Sequence, residues 1–269
     1  ARHDDDIGGA VVARQNVVRL GSDEDDSVVQ VEFIDQVAGA SGLEAAALTA
    51  GAADDHQGRP RIPSLAEVGQ GTDRDIGTFE WLDPTDEDDI AALASTFDQL
   101  DWLVNTVGML HEAEGDRGPE RSIKRLDPDF FNRNIAINTL PTLLLAKHFQ
   151  PALRHDRPTH FAAVSARVGS ITENRLGGWY SYRMSKAALN MALVTLAIEW
   201  RRLLPNACVS SLHPGTVDTS LSQPFQRGVP DGKLFPPQRC AAQIAAILDR
   251  LAPADSGRFW SWDGSELPW

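Results

Sequence analysis

Gly177-Gly178-Trp179-Tyr180-Ser181-Tyr182-Arg183-Met184-Ser185-Lys186-Ala187-Ala188-Leu189-Asn190 opens a long apolar segment that runs on to Leu204, with no charge between Lys186 and Glu199. Its composition and spacing predict a helix over residues 181–204. On a helix, residues four apart share a face, so Tyr182 and Lys186 stand side by side. A free phenol has a pKa of about 10 and is a poor acid or base near neutrality. A neighbouring ammonium favours the phenolate and lowers that value. The chain holds two tyrosines and four lysines in 269 residues, and this helix offers no solvated charged face to explain Lys186. The pair reads as chemistry.

Outward from this segment, strands alternate with helices. Short apolar strands are expected at 79–82, 102–104, 160–165, 207–212 and 259–262. Helices are expected at 86–100, where Ile90, Leu93 and Phe97 share a face, and at 130–149 and 237–251. Such alternation predicts an α/β domain, a doubly wound parallel sheet with helices on both faces. Ligands in such sheets sit beyond the carboxyl ends of the strands. That directs attention to Asn105-Thr106-Val107-Gly108, to Ser165-Ala166-Arg167-Val168-Gly169-Ser170 and to His213-Pro214-Gly215-Thr216-Val217-Asp218-Thr219.

These segments, in this order, resemble the short-chain dehydrogenase/reductase superfamily, over roughly residues 77–269. The wording of 177–190 is close to the C-factor and sniffer-type carbonyl reductase branch. The resemblance implies a Rossmann-like fold and an NAD(P)-dependent oxidoreductase moving hydride between nicotinamide and a carbonyl or alcohol, with NADP slightly favoured over NAD. It implies Tyr182 as proton donor and Lys186 as its electrostatic partner and ribose ligand. Asn138 would hold a water in a proton relay, against the plainer reading of a helix-packing hydrogen bond. Asn105, Thr106, Val107 and Gly108 would floor the nicotinamide pocket, with Pro214, Gly215 and Val217 holding its amide and Thr219 approaching the pyrophosphate. Asp83 would bond the adenine, although it could equally cap a helix. The superfamily usually has a catalytic serine where this chain has Ala166, so Ser165 is the expected substitute and Ser170 the other candidate. Residues 221–234 would be a substrate lid.

Residues 1–75 are different. They hold no Lys, Trp or Tyr and carry 15 acidic and 6 basic residues. Residues 28–34 have strand composition, and 43–50 have helix formers. The best candidate for a phosphate-binding turn is Gly39-Ala40-Ser41-Gly42, giving Gly39, Ser41 and Gly42 as cofactor ligands. Its closing glycines are absent and Glu44 follows. Three explanations stay open: a truncated but working turn, a half that no longer binds cofactor, or a stretch that is not the native reading of the gene. The expectation is one domain over residues 1–269 with an atypical, partly disordered 1–75.

The net charge of −13 disfavours nucleic acid and anionic membrane as partners. No apolar run reaches the ~18 residues of a membrane span. Cys208 and Cys240 make neither a disulfide framework nor a metal site, so no metal is expected and a reducing, cytoplasmic setting is. A small carbonyl or alcohol is the expected partner. The resemblance implies a homodimer or homotetramer built on the helices at 130–149 and 181–204. The rival reading is a cofactor-impaired scaffold or signalling protein. A lyase or epimerase on the same fold is the third.

Overall fold

The apolar strands of the C-terminal two thirds lie side by side as read, because each is buried on both faces. The structure is a computed structural model and describes residues 19–20, 29–32, 45–49, 81–82, 84–112 and 117–269. Its strands are β1 (Arg19–Leu20), β2 (Val29–Glu32), β3 (Ala45–Thr49), β4 (Trp81–Leu82), β5 (Trp102–Asn105), β6 (Thr159–Val164), β7 (Ala207–His213), β8 (Thr216–Val217), β9 (Leu234–Phe235), β10 (Arg258–Ser261) and β11 (Glu266–Leu267). The helices are α1 (Glu87–Ala94), α2 (Pro128–Asn138), α3 (Leu140–Phe149), α4 (Tyr180–Leu203) and α5 (Pro237–Arg250).

The main sheet runs β11-β10-β7-β6-β5-β3-β2-β4, with β1 also pairing β5. Strands β3, β5, β6, β7 and β10 are parallel to their neighbours in that series. Side chains alternate between two cores. Leu103, Phe161 and Val209 face the layer of α1 to α4, where Phe161 packs edge-on against Trp200 at 5.3 Å. Trp102, Val104, Ala162 and Cys208 face α5. A parallel sheet covered on both sides is the expected doubly wound form.

Three local expectations change. Residues 43–50 carry helix formers, yet 45–49 form β3, in register with β5 and β2. The open edge of β5 supplies backbone partners that outweigh a weak helical preference. The helix expected at 130–149 is two helices, broken at Thr139. Pro141 lacks an N–H and crowds the carbonyl four residues before it, so the ladder cannot pass unbroken. The helix expected to reach residue 100 ends at Ala94, and Phe97 packs from the following turn against Phe149 at 5.7 Å. The N-terminal part also departs from an all-parallel sheet, since β2 is antiparallel to both β3 and β4. Gly39, Ser41, Gly42 and Asp83 lie outside the described residues.

Candidate active site

Helix α4 enters through three consecutive left-handed residues, Gly177, Gly178 and Trp179, the last at φ 53°. For a bulky residue that conformation costs about 1–3 kcal/mol. Glu120 holds the segment in place. Its backbone carbonyl accepts from Trp179 N–H at 2.5 Å. Its carboxylate, 4% exposed, accepts from the Ser181 N–H at 3.1 Å and from the Ser181 hydroxyl. A carboxylate there satisfies free helix N–H groups and suits the positive end of the helix dipole.

One turn in, Tyr182 and Lys186 are buried together, with the Lys186 Nζ 5.9 Å from the phenol ring centre. The ammonium donates to the Val164 carbonyl at 3.0 Å, at the end of β6. A 3₁₀ turn, Arg167–Gly169, presses on the helix at this point. A Cβ on Gly169 would sit 2.9 Å from the Lys186 backbone carbon, so only glycine allows the approach. Burial pushes the phenol above its ordinary range and draws the ammonium down to about 7. The expected acidification of the phenol is therefore not what the protein alone produces. Desolvation by burial is the cause in both groups.

Both groups open onto a cavity of about 410 Å³ beyond the ends of β5, β6 and β7. Thr106, Gly108, Pro214, Gly215, Val217 and Thr219 line it together with Tyr182 and Lys186. Asn105 and Val107 do not line it. Asn105 closes the loop from behind, accepting from Val107 N–H at 2.9 Å and donating to Thr142 at 2.7 Å. Gly215, at φ 79°, has the Phe235 ring 2.6 Å from where a Cβ would be.

Asn138 is 1% exposed and fully engaged. Its Oδ1 accepts from Met109 N–H at 2.6 Å, and its Nδ2 lies within hydrogen-bonding distance of Met109 O, Ser185 Oγ and Asn134 Oδ1. The side chain thus pins the loop after β5 to α4, the packing role set beside the relay reading.

Ser165 borders the cavity, but its hydroxyl donates to Asn190 Oδ1 at 2.7 Å and the residue is 2% exposed. Asn190 Oδ1 also accepts from Ser211 at 2.9 Å, so Ser165 belongs to a buried cross-brace at the edge of the cavity. Ser170 is equally buried, accepts from Glu173 N–H and does not line the cavity. Ala166 lines the wall where a hydroxyl was expected.

Sequence reasoning did not single out Trp179 or Leu110, which line the cavity together with Phe225 of the segment read as a lid. The double glycine at 177–178 was a readable sign of left-handed backbone before Trp179. Arg167 also lines the cavity, but Glu173 holds it through a two-pronged pair at 2.6 and 2.8 Å.

The nicotinamide end of a dinucleotide fits these residues. Lys186 carries two donor positions beyond its bond to Val164. Gly108 leaves a hollow beside it, since a Cβ there would come within 3.3 Å of Lys186 Nζ and 3.5 Å of Asn138 Oδ1. Among the described residues no cluster of His, Cys, Asp or Glu could hold a metal ion, and no helix is long and apolar enough to cross a membrane.

Comparison with known proteins agrees. The family model for short chain dehydrogenases matches residues 70–229, beginning close to the change in composition near residue 76. The chain is 38% identical over 173 residues to the C-signal protein of Myxococcus xanthus, covering 63% of this chain and 93% of that one. It is 33% identical over 192 residues to 1-hydroxy-2-glutathionyl-2-methyl-3-butene dehydrogenase of Rhodococcus sp. (strain AD45), covering 70% and 78%. The NADPH-bound carbonyl reductase from chicken fatty liver superposes with a TM-score of 0.60 at 25% identity, covering 70% of this chain and 72% of that one.

Proposed function

The chain belongs to the short-chain dehydrogenase family, and from that premise we propose that it is an NAD(P)-dependent reductase of a small carbonyl compound, working reversibly on the corresponding alcohol. The carrying observation is that a buried phenol and a buried ammonium open together onto one cavity beyond the strand ends. The Rhodococcus relative is named as a dehydrogenase and the chicken structure as a carbonyl reductase with NADPH bound, which supports both directions and favours NADP.

Thr106, Gly108, Pro214, Gly215, Val217 and Thr219 would hold the nicotinamide end, and Lys186 the adjoining ribose hydroxyls. When bound, the cofactor supplies or accepts the hydride. Tyr182 donates the proton to the carbonyl oxygen, and its burial keeps it in the protonated form this direction needs. Lys186 stabilises the phenolate left behind, a charge that exists only after transfer. Asn138 acts as a positioning group, holding Met109 and Ser185 so that the loop after β5 and α4 keep their spacing; a water relay through it is part of the same reading. Gly39, Ser41, Gly42 and Asp83 would serve the pyrophosphate and adenine.

A second reading, a scaffold or signalling protein without turnover, draws on Ala166 and on the commitment of Ser165 to Asn190. Tyr182→Phe separates the two. The enzyme reading expects turnover to fall by about 10²- to 10⁴-fold with the fold intact. Equal rates in the variant and the parent would reject it.

The assembly would be a homodimer or homotetramer. Met184, Met191 and Ile198 recur every seven residues on α4 and are more than half exposed, at 51%, 66% and 60%. Leu140 and Leu143 of α3 add further exposed apolar surface. An apolar helical stripe of this kind favours burial against a second copy. The buried Cys208 and Cys240 thiols suit a reducing compartment, the cytoplasm. Residues 1–269 would act as one domain.

A further inference from the structure

The catalytic cavity has an aromatic outer wall. Trp179 and Phe225 meet edge to face with ring centres 5.1 Å apart. Trp179 reaches inward to Tyr182 at 6.3 Å, and His111 flanks Phe225 at 6.0 Å. The same two rings also line a second, open cleft of about 680 Å³. Arg121 and Arg227 line it with Gln223 and Pro224, and no carboxylate does. Among the described residues neither arginine has an ion-pair partner, whereas Arg117, four residues before Arg121, is tied to Glu112 and Asp127. Phe225 and Arg227 belong to one 3₁₀ segment, Gln223–Gly228, so the lid carries both an aromatic wall and a cation.

We propose that the substrate is an amphipathic anion. Its carbonyl and apolar body occupy the inner cavity among Leu110, Trp179 and Phe225, and its far end carries a carboxylate or phosphate that reaches Arg121 and Arg227 in the outer cleft. The assignment rests on the reductase reading above. Inside, the cations beside an apolar substrate body are already used: Arg167 is neutralised by Glu173, and Lys186 serves the phenol and ribose. Outside, two guanidinium groups with no ion-pair partner among the described residues face a shared opening on a chain of net charge −13, a local reversal that selects an anion. The planar guanidinium fork matches carboxylate and phosphate oxygens. Both arginines are exposed, so the preference is modest, about five- to tenfold for the pair, and weakens with salt.

The test uses aryl ketones bearing an ω-carboxylate on chains of increasing length, each beside its methyl ester. Affinity is read by calorimetry on protein saturated with NADPH, and turnover by NADPH oxidation. The acid is expected to bind about five- to tenfold more tightly than its ester once the chain spans the aromatic wall. The Arg121→Gln, Arg227→Gln double variant should bring that ratio to about one, as should high salt. An acid-to-ester ratio near one at every length, or one the double variant leaves unchanged, overturns the anion site. An acid preference that persists without NADPH oxidation sinks the reductase reading instead.

Discussion

Replacing Lys186 with methionine should abolish turnover and at the same time stabilise the fold. The side chain is 2% exposed, and burial draws its ammonium from the ordinary 10.5 down to about 7. At about 1.4 kcal/mol per tenfold change in proton affinity, holding it charged at pH 7 costs up to about 5 kcal/mol. Replacing a buried ion pair by apolar groups of similar volume recovers about 1–4 kcal/mol, and a gain of that order is expected for this buried cation. For a chain of this length that corresponds to about 2–4 °C in Tm for each kcal/mol. Between pH 7 and 10.5 the unfolded lysine binds a proton that the folded one has lost, so the parent gains stability as pH rises through this window. The advantage of Lys186→Met is therefore largest at and below pH 7 and disappears above 10.5. Urea unfolding of both proteins from pH 6 to 10.5 measures it. A variant less stable than the parent at pH 7, or a difference that does not change with pH, would refute the reasoning.

Glu120→Ala should lower stability by about 1–3 kcal/mol, because it leaves the buried Ser181 N–H and hydroxyl without their acceptor; thermal unfolding reads this, and an unchanged Tm contradicts it. The parent should also lose stability in acid. Burial holds His160 at a pKa of about 4 against an ordinary 6.5, so its contribution is complete above 6.5 and lost as pH falls toward 4. His160→Gln should flatten that decline by up to about 1.4 kcal/mol per pH unit, and a parallel pair of stability curves would contradict the assignment.

The fold was legible where one stretch of chain carries its own signal. Strands buried on both faces show as short apolar runs, and Tyr182 and Lys186 share a face because helix geometry alone demands it. Pro141 carried a readable warning of the helix break. What stayed hidden depends on partners far along the chain. Ser165 looks free until Asn190, 25 residues later, claims its hydroxyl. Glu120 caps a helix that starts 60 residues beyond it, and nothing near Glu120 announces the role. Segment 45–49 reads as helix because its strand partners lie at β5 and β2. The phenol's upward shift follows from burial, which the local spacing of Tyr182 and Lys186 cannot convey.

Titration of the protein with NADPH, followed by fluorescence, tests the central claim most directly. Saturable binding in the micromolar range, competed by NADP and weakened by Lys186→Met, is the predicted result. No binding of NADPH or NADH at millimolar concentration would contradict it.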